Sequence, residues 1–422
     1  MRKGLSSIRN AYADAFSGLS REIWLLSLVM IINRSGAMVL PFMTLYLTTS
    51  LGYSLTEAGT VMAAYGVGSI LGAYIGGQLA DKFGHYYIQL YSLLLGAGFL
   101  IALLFLESLL PIIATVFCFS TVADTMRPAN SVATAAYSTP ENRTRSFSLM
   151  RFAVNIGFSV GPAMGGMVAA LIGFRWIFLI DAITCLTAAY IVKKYLSDRK
   201  RPATPESVQT SDVAQTSSPA SQLPAKSKSA YRDTQYLIFI LLVALYAIAF
   251  FQLFTSVPVF WEKEWGFSEA EIGLLLALNG VIVVLFEMPF MKYMEHFQRY
   301  MVMITFGSLL MFLSFLLLLS GWGGAFAAIG FIVFMSISEM FAMPFMTNYA
   351  ISVPGEDRRG QYMALYAMAY GVAHIIAPAG SLSLADKYGF SVLYLVMAIL
   401  SVLIAAAFFQ MRARKVSHMA MP

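Results

Sequence analysis

Ionisable side chains stand in the middle of long apolar stretches of this chain. Arg34 lies in Ile32-Asn33-Arg34-Ser35-Gly36, Asp124 and Arg127 are three residues apart, Glu287 precedes Pro289, and Glu339 precedes Pro344. Asp181 and His374 occupy two further apolar runs. A charge at the centre of a bilayer is costly, so each is a candidate for work on a substrate or a proton. Proton carriage needs a carboxylate that takes up a proton near neutral pH. Burial favours the neutral acid and a nearby cation opposes it. Glu339 has no charged residue within a helical turn and is the leading proton carrier, with Asp124 and Glu287 behind it. Asp124 and Arg127 either neutralise one another at i,i+3 spacing or meet the substrate. Arg34 keeps its proton under ordinary conditions, a fixed charge suited to a substrate carboxylate or to gating. Glu287, near one end of its run, is expected to be partly solvated. Asp181 is expected to be solvated, and His374 to be a helix–helix hydrogen bonder.

Polar and aromatic residues in the same runs are the expected lining of a substrate cavity. Asn33, Tyr46, Arg127, Tyr246, Gln252, Asn279 and Asn348 join Arg34 as substrate contacts. Tyr65, Tyr137, Phe250, Phe251, Phe341 and Tyr370 add aromatic surface. Such walls bind loosely and broadly. Nothing in the sequence suggests an enzyme or a cofactor. Gly161-Pro162-x2-Gly165-Gly166 lies in an apolar run and lacks the Lys-Ser/Thr of a phosphate loop. The four histidines, His85, His296, His374 and His418, do not cluster as a metal set.

The elements that must hold these residues follow from composition. Of 422 residues, 59% are hydrophobic and 12% charged, and the mean hydropathy is +0.71. That excludes a water-soluble enzyme, a disordered chain and a disulfide scaffold. A membrane-spanning helix takes ~20 apolar residues. Twelve such runs are expected near 23–48, 57–79, 86–107, 111–137, 147–171, 175–195, 235–260, 270–291, 300–321, 325–350, 362–384 and 390–411. The fold class is therefore all-α, with a lead over 1–22, a six-helix bundle over 23–196, a flexible polar linker over 197–233, a second bundle over 234–411 and a tail over 412–422. Cys118 and Cys185 fall inside apolar runs and read as small hydrophobes. Of the 28 Lys and Arg, 23 fall on the side of the N-terminus and linker. Arg175, Lys263 and Lys387 fall on the other side, and Arg34 and Arg127 within runs. This bias predicts both termini in the cytoplasm, in a bacterial inner membrane, and the expected partners are the lipid bilayer, protons and a small-molecule substrate.

The two bundles repeat. Gly52-Tyr-Ser-Leu-Thr-Glu-Ala-Gly59 matches Gly266-Phe-Ser-Glu-Ala-Glu-Ile-Gly273 at an offset of 214. Glu141-Asn-Arg-Thr-Arg-Ser-Phe147 matches Glu356-Asp-Arg-Arg-Gly-Gln-Tyr362 at 215, which also sets Asp124 on Glu339. Parallel repeats of this kind place a substrate site between the halves near the midplane.

Gly77-Gln-Leu-Ala-Asp81-Lys82-Phe-Gly84 is similar to the G-x-L-x-D-R/K-x-G signature of the major facilitator superfamily, with His85-Tyr86 where a basic pair usually follows. Gly157-x3-Gly161-Pro162-x2-Gly165-Gly166 looks like the fifth-helix motif of its drug–proton antiporter branches. The resemblance spans essentially the full length. It implies two bundles rocking about a central site, with Asp81 bracing the cytoplasmic gate against a helix N-terminus and Arg143 or Arg145 adding charge. It implies proton-driven export of amphipathic small molecules by a monomer. A second likeness implies an alternative. Asn33-Arg34, Leu45-Tyr46-Leu47 and Ser338-Glu339-x4-Pro344 resemble helices one and ten of proton-dependent peptide transporters, which implies uptake of small peptides or other zwitterions.

Overall fold

The computed structural model describes residues 18–139, 141–196, 230–294, 299–321, 323–353 and 359–419. The side chains of 81, 144, 288, 292, 359, 360 and 412–419 are outside that description. Among the described residues, twelve helical spans are long and apolar enough to cross a membrane. The first six are α1 (Arg21–Ser50), α2 (Leu55–Phe83), α3 (His85–Leu103), α4 (Leu109–Tyr137), α5 (Arg143–Ile172) and α6 (Arg175–Tyr195). The second six are α7 (Thr234–Phe254), α8 (Glu269–Tyr293), α9 (Tyr300–Leu319), α10 (Ala325–Ser352), α11 (Arg359–Tyr388) and α12 (Phe390–Met419). A further helix, Ser256–Trp265, extends α7. Side chains such as Phe326 (95% exposed), Leu171 and Leu110 face outward, a surface suited to lipid. Of the expected linker, Ala230–Arg232 forms a 3-10 turn whose Ala230 is buried. Residues 197–229, the lead up to 17 and residues 420–422 lie outside the described residues.

Three spans break, each for the same reason. A proline ring collides with the carbonyl of the residue four before it and offers no N–H. In α1, Pro41 answers to Ala37, and the helix stops at Gly36 and restarts at Val39. In α4, Pro128 answers to Asp124, the last residue of the first segment. In α7, Pro258 answers to Phe254, and Phe251–Phe254 tightens into a 3-10 turn. All three breaks open onto the same central space.

The repeat survives in detail. Gly52 and Gly266 take φ of 71° and 67°. Each is followed by a bond back over the turn, from Tyr53 N to the Leu47 carbonyl (2.9 Å) and from Phe267 N to the Trp261 carbonyl (3.0 Å). Ser54 and Glu57 cap α2 reciprocally, and Ser268 and Glu271 cap α8 in the same way.

The halves meet along two seams, α2 with α11 and α5 with α8. Small residues set both. A Cβ on Gly59 would lie 2.9 Å from the Pro378 oxygen, and one on Gly273 would lie 2.4 Å from the Pro162 oxygen. Gly66 meets the His374 carbonyl, and Gly280 meets Ser159. Backbone-to-backbone packing of this kind supplies the van der Waals contact that lipid cannot. At the end of the bundle away from the linker, Thr56 Oγ1 also donates to Asp386 Oδ2 across the halves (2.7 Å). That contact ties the two halves together at the far end.

Candidate functional site

A cavity of about 400 Å³ lies midway along the spans, between the halves. The first half contributes Asn33 and Arg34 of α1, Asp124 and Arg127 of α4, and Asn155, Phe158 and Pro162 of α5. Tyr65, Asp181 and Cys185 complete that wall. The second half contributes Phe250, Phe251, Phe254 and Thr255 of α7, Asn279 of α8, Glu339 of α10 and His374 of α11.

Arg34 sits in the last turn of the first α1 segment, where the unpaired carbonyls of a helix end favour a cation. Its guanidinium lies 5.7 Å from the Phe158 ring centroid, and its buried Nε has no hydrogen-bond partner. Gly157 makes room for it: a Cβ there would lie 2.3 Å from the Arg34 Cβ. Gly161 and Gly165 carry α5 against the Arg34 carbonyl and Met38 of α1. Gly166 turns the other way, onto Glu269 and Gly273 of α8. The motif thus serves two helix contacts at once.

Asp124 is buried, and its Oδ1 accepts from Arg127 Nε at 2.7 Å. Its Oδ2 is buried without a partner, whereas the Arg127 side chain is 51% exposed. Asp181 is buried, contrary to the solvated position expected from sequence, because α6 packs it behind the α1 break. Cys185 lies 3.8 Å from Asp181 Oδ1, and Asn33 Nδ2 donates to Cys185 Sγ at 3.5 Å. On the facing wall, Asn279 Nδ2 donates to Glu339 Oε2 at 3.3 Å and to Ser336 Oγ at 2.9 Å. His374 stacks on Phe251 with 3.9 Å between centroids.

Asn33, Arg34, Asp124, Arg127, Asn279 and Glu339 line one cavity, with Pro162 beside them. Five other residues are placed elsewhere. Tyr46 is buried against Phe174 and Phe178 towards the far end. Tyr246 is buried behind α10, with its hydroxyl 2.9 Å from Ser338 Oγ. Gln252 bonds Ile248 O and Ser256 Oγ, bracing the α7 break from behind. Asn348 is exposed. Glu287 forms an ion pair with Arg151 of α5 across the seam, off the cavity. Arg151 lies inside α5, a third cation within an apolar run besides Arg34 and Arg127. Its position within the apolar run was the signal. Asn155, two residues before Gly157, was also legible as a polar residue on the cavity helix.

In the G-x-L-x-D stretch, Gly84 takes φ +84° to turn α2 into α3. A Cβ on Gly77 would meet nothing within 4 Å, so close packing falls to Gly72 and Gly76, against Thr121 and Thr125 of α4. Lys82 and Arg143 are exposed at the linker end. The Asp81 side chain lies outside the described residues.

The profile of the Major Facilitator Superfamily matches residues 23–268 and 239–418. The chain is 27% identical to an uncharacterised MFS-type transporter, YttB of Bacillus subtilis, covering 90% of this chain and 93% of that one. It is 24% identical to a Na(+), Li(+), K(+)/H(+) antiporter of Planococcus maritimus, over 88% and 91%. It is 24% identical to the quinolone resistance protein NorA of Staphylococcus aureus, over 85% and 89%. Among solved structures, a POT family transporter in complex with 5-aminolevulinic acid superposes with a TM-score of 0.76 at 15% identity, covering 94% and 97%.

Proposed function

The chain belongs to the major facilitator superfamily and is a multi-pass membrane transporter of small molecules, not an enzyme; from that premise we propose proton-coupled export of amphipathic small molecules by alternating access. Glu339 carries the reading. It presents a carboxylate to an aromatic cavity, with neutral Asn279 as its hydrogen-bond donor, and the halves are tied together at the far end by Thr56 and Asp386. A carboxylate so placed can exchange a proton with whichever side the cavity faces, and its charge is felt by a cationic or amphipathic cargo. Arg34, from the opposite half, is a permanent charge that gates or orients. The rocking surfaces are the two glycine seams. Asp81 braces the linker end, both termini face the cytoplasm of a bacterial inner membrane, and the proton gradient replaces any cofactor. The antiporter and drug-resistance relatives support this direction of transport.

A second reading is proton-coupled uptake of small peptides or other zwitterions. The unpartnered Nε of Arg34 and the carboxylate of Glu339, on opposite walls, suit the two ends of such a solute.

Proteoliposomes with an imposed pH gradient test both, with lipophilic cations and dipeptides offered and internal pH recorded. Export of cations with proton counterflow supports the first reading, and dipeptide uptake with protons the second. Glu339→Gln should abolish gradient-driven transport while sparing exchange. Full gradient-driven transport by this variant removes Glu339 from the coupling.

A further inference from the structure

The two halves do not share the central cavity equally. Every helix of the first half contributes to its lining, α3 through Ser92, Leu93 and Gly96 and α6 through Asp181 and Cys185. In the second half, among the described residues, the lining comes from α7, α8, α10 and α11 alone. Because α3 packs on α4 and α6, the cavity reaches α3 by entering the first bundle.

The repeat explains the difference. At the offset of 215, Gly307 and Ser338 of the second half correspond to Ser92 and Ala123 of the first. Ser338 Oγ donates to the Gly307 carbonyl at 2.7 Å and lies 2.9 Å from the Tyr246 hydroxyl, which draws α9, α10 and α7 together. Ala123 has no hydroxyl for such a bond, and Ser92 turns its own onto the Gln89 carbonyl. Met311, fully buried, corresponds to Gly96. A Cβ on Gly96 would meet Phe119 Cε2 at 3.8 Å and nothing closer. Space that is filled in the second half is left as an arm of the cavity in the first.

Two carboxylates border this arm, Asp124 on α4 and Asp181 on α6, and they are 2% and 4% exposed. Asp124 Oδ2 has no hydrogen-bond partner. Asp181 Oδ1 is met by the Cys185 thiol, a weak donor, at 3.8 Å. Of the nearby guanidiniums, Arg34 lies over Phe158 of α5, and the Arg127 side chain is half-exposed. A buried carboxylate oxygen without a donor is costly, and a primary ammonium supplies three donors. Phe250, Phe251 and Phe254 of α7 give the same cavity an apolar wall on the second half.

We propose that the arm receives the ammonium head of a cationic amphipathic cargo, primary amines ahead of quaternary ones, with the apolar tail laid on the α7 aromatics. A quaternary head has no N–H to give to Asp124 or Asp181. The inference rests on the reading of the cavity as the cargo site, and it does not depend on Glu339 as the proton carrier.

The native Cys185 reports occupancy of the arm. In a Cys118→Ser background, with no pH gradient, phenylbutylammonium should slow alkylation of Cys185 by N-ethylmaleimide, read by mass spectrometry. Equal protection should need about ten-fold more of its N-trimethyl analogue, the value of one charge-assisted hydrogen bond. Gly96→Met installs the residue of the second half in the arm, with elution on gel filtration as the folding check. It should weaken calorimetric binding of the primary amine about ten-fold and bring the two probes level, and Asp181→Asn should level them as well. Binding of phenylbutylammonium that leaves Cys185 unprotected, or a preference for the primary amine that survives both substitutions, overturns the arm. Protection of Cys185 without gradient-driven transport of the probe keeps the arm and removes the export reading.

Discussion

Gly273 of α8 lies beneath the carbonyl oxygen of Pro162 in α5, so close that a Cβ would sit 2.4 Å from it. The other seam makes the same contact between Gly59 and Pro378. Because the second atom in each case is backbone, neither contact relaxes by a side-chain rotation. Gly273→Val and Gly59→Val should each cost ~1–3 kcal/mol of closed far-end seam, the usual penalty of overpacking. Both should slow transport and speed far-side labelling of a cysteine at Leu55. Unchanged labelling in both would show that the seams part elsewhere.

Gly157 predicts a variant that mimics loss of Arg34 without removing its charge. A methyl group at Gly157 would strike the Arg34 Cβ and swing the guanidinium off Phe158. Gly157→Ala and Arg34→Lys should both weaken carboxylate-bearing substrates about ten-fold, the value of one charge-assisted hydrogen bond. Purely cationic substrates should change less. Competition binding in detergent, with the two substrate classes side by side, measures the difference.

Asp124 and Arg127 are unequal partners. Arg127→Met strands a buried carboxylate and should destabilise the protein by ~3 kcal/mol. Asp124→Asn leaves a half-exposed guanidinium that water can serve, so its cost should stay within ~1 kcal/mol. Thermal unfolding in detergent should rank them in that order, and the double variant should recover most of the loss.

A pH effect is expected at the far end. Burial pushes the Glu262 carboxyl above the usual range, with Lys263 opposing. Opening the far end exposes Glu262 and returns it to its ordinary value, so the shut state binds the proton more tightly. Lowering the pH should therefore favour the shut far end and slow far-side labelling at Leu55→Cys. Glu262→Gln should label slowly at all pH values, with this dependence removed.

The twelve spans, the six-plus-six division and the internal repeat were legible in the sequence because each rests on local chemistry. Apolar length reports spans, and turn residues such as Gly52 and Gly266 recur because both turns need positive φ. Arg34, Asp124 and Glu339 were legible as well, since a charge in an apolar run has few places to go except a shared cavity. What faces that cavity was decided only in three dimensions. Tyr46, Tyr246 and Gln252 fall in the right spans, but Tyr46 packs on Phe174 and Phe178, Tyr246 on Ser338, and Gln252 braces the α7 break. The partner of Arg151 was not legible: Glu287 lies 136 residues away in the other half. The sequence determined which residues enter the membrane; the pairing of helices from different halves decided which of their charges meet.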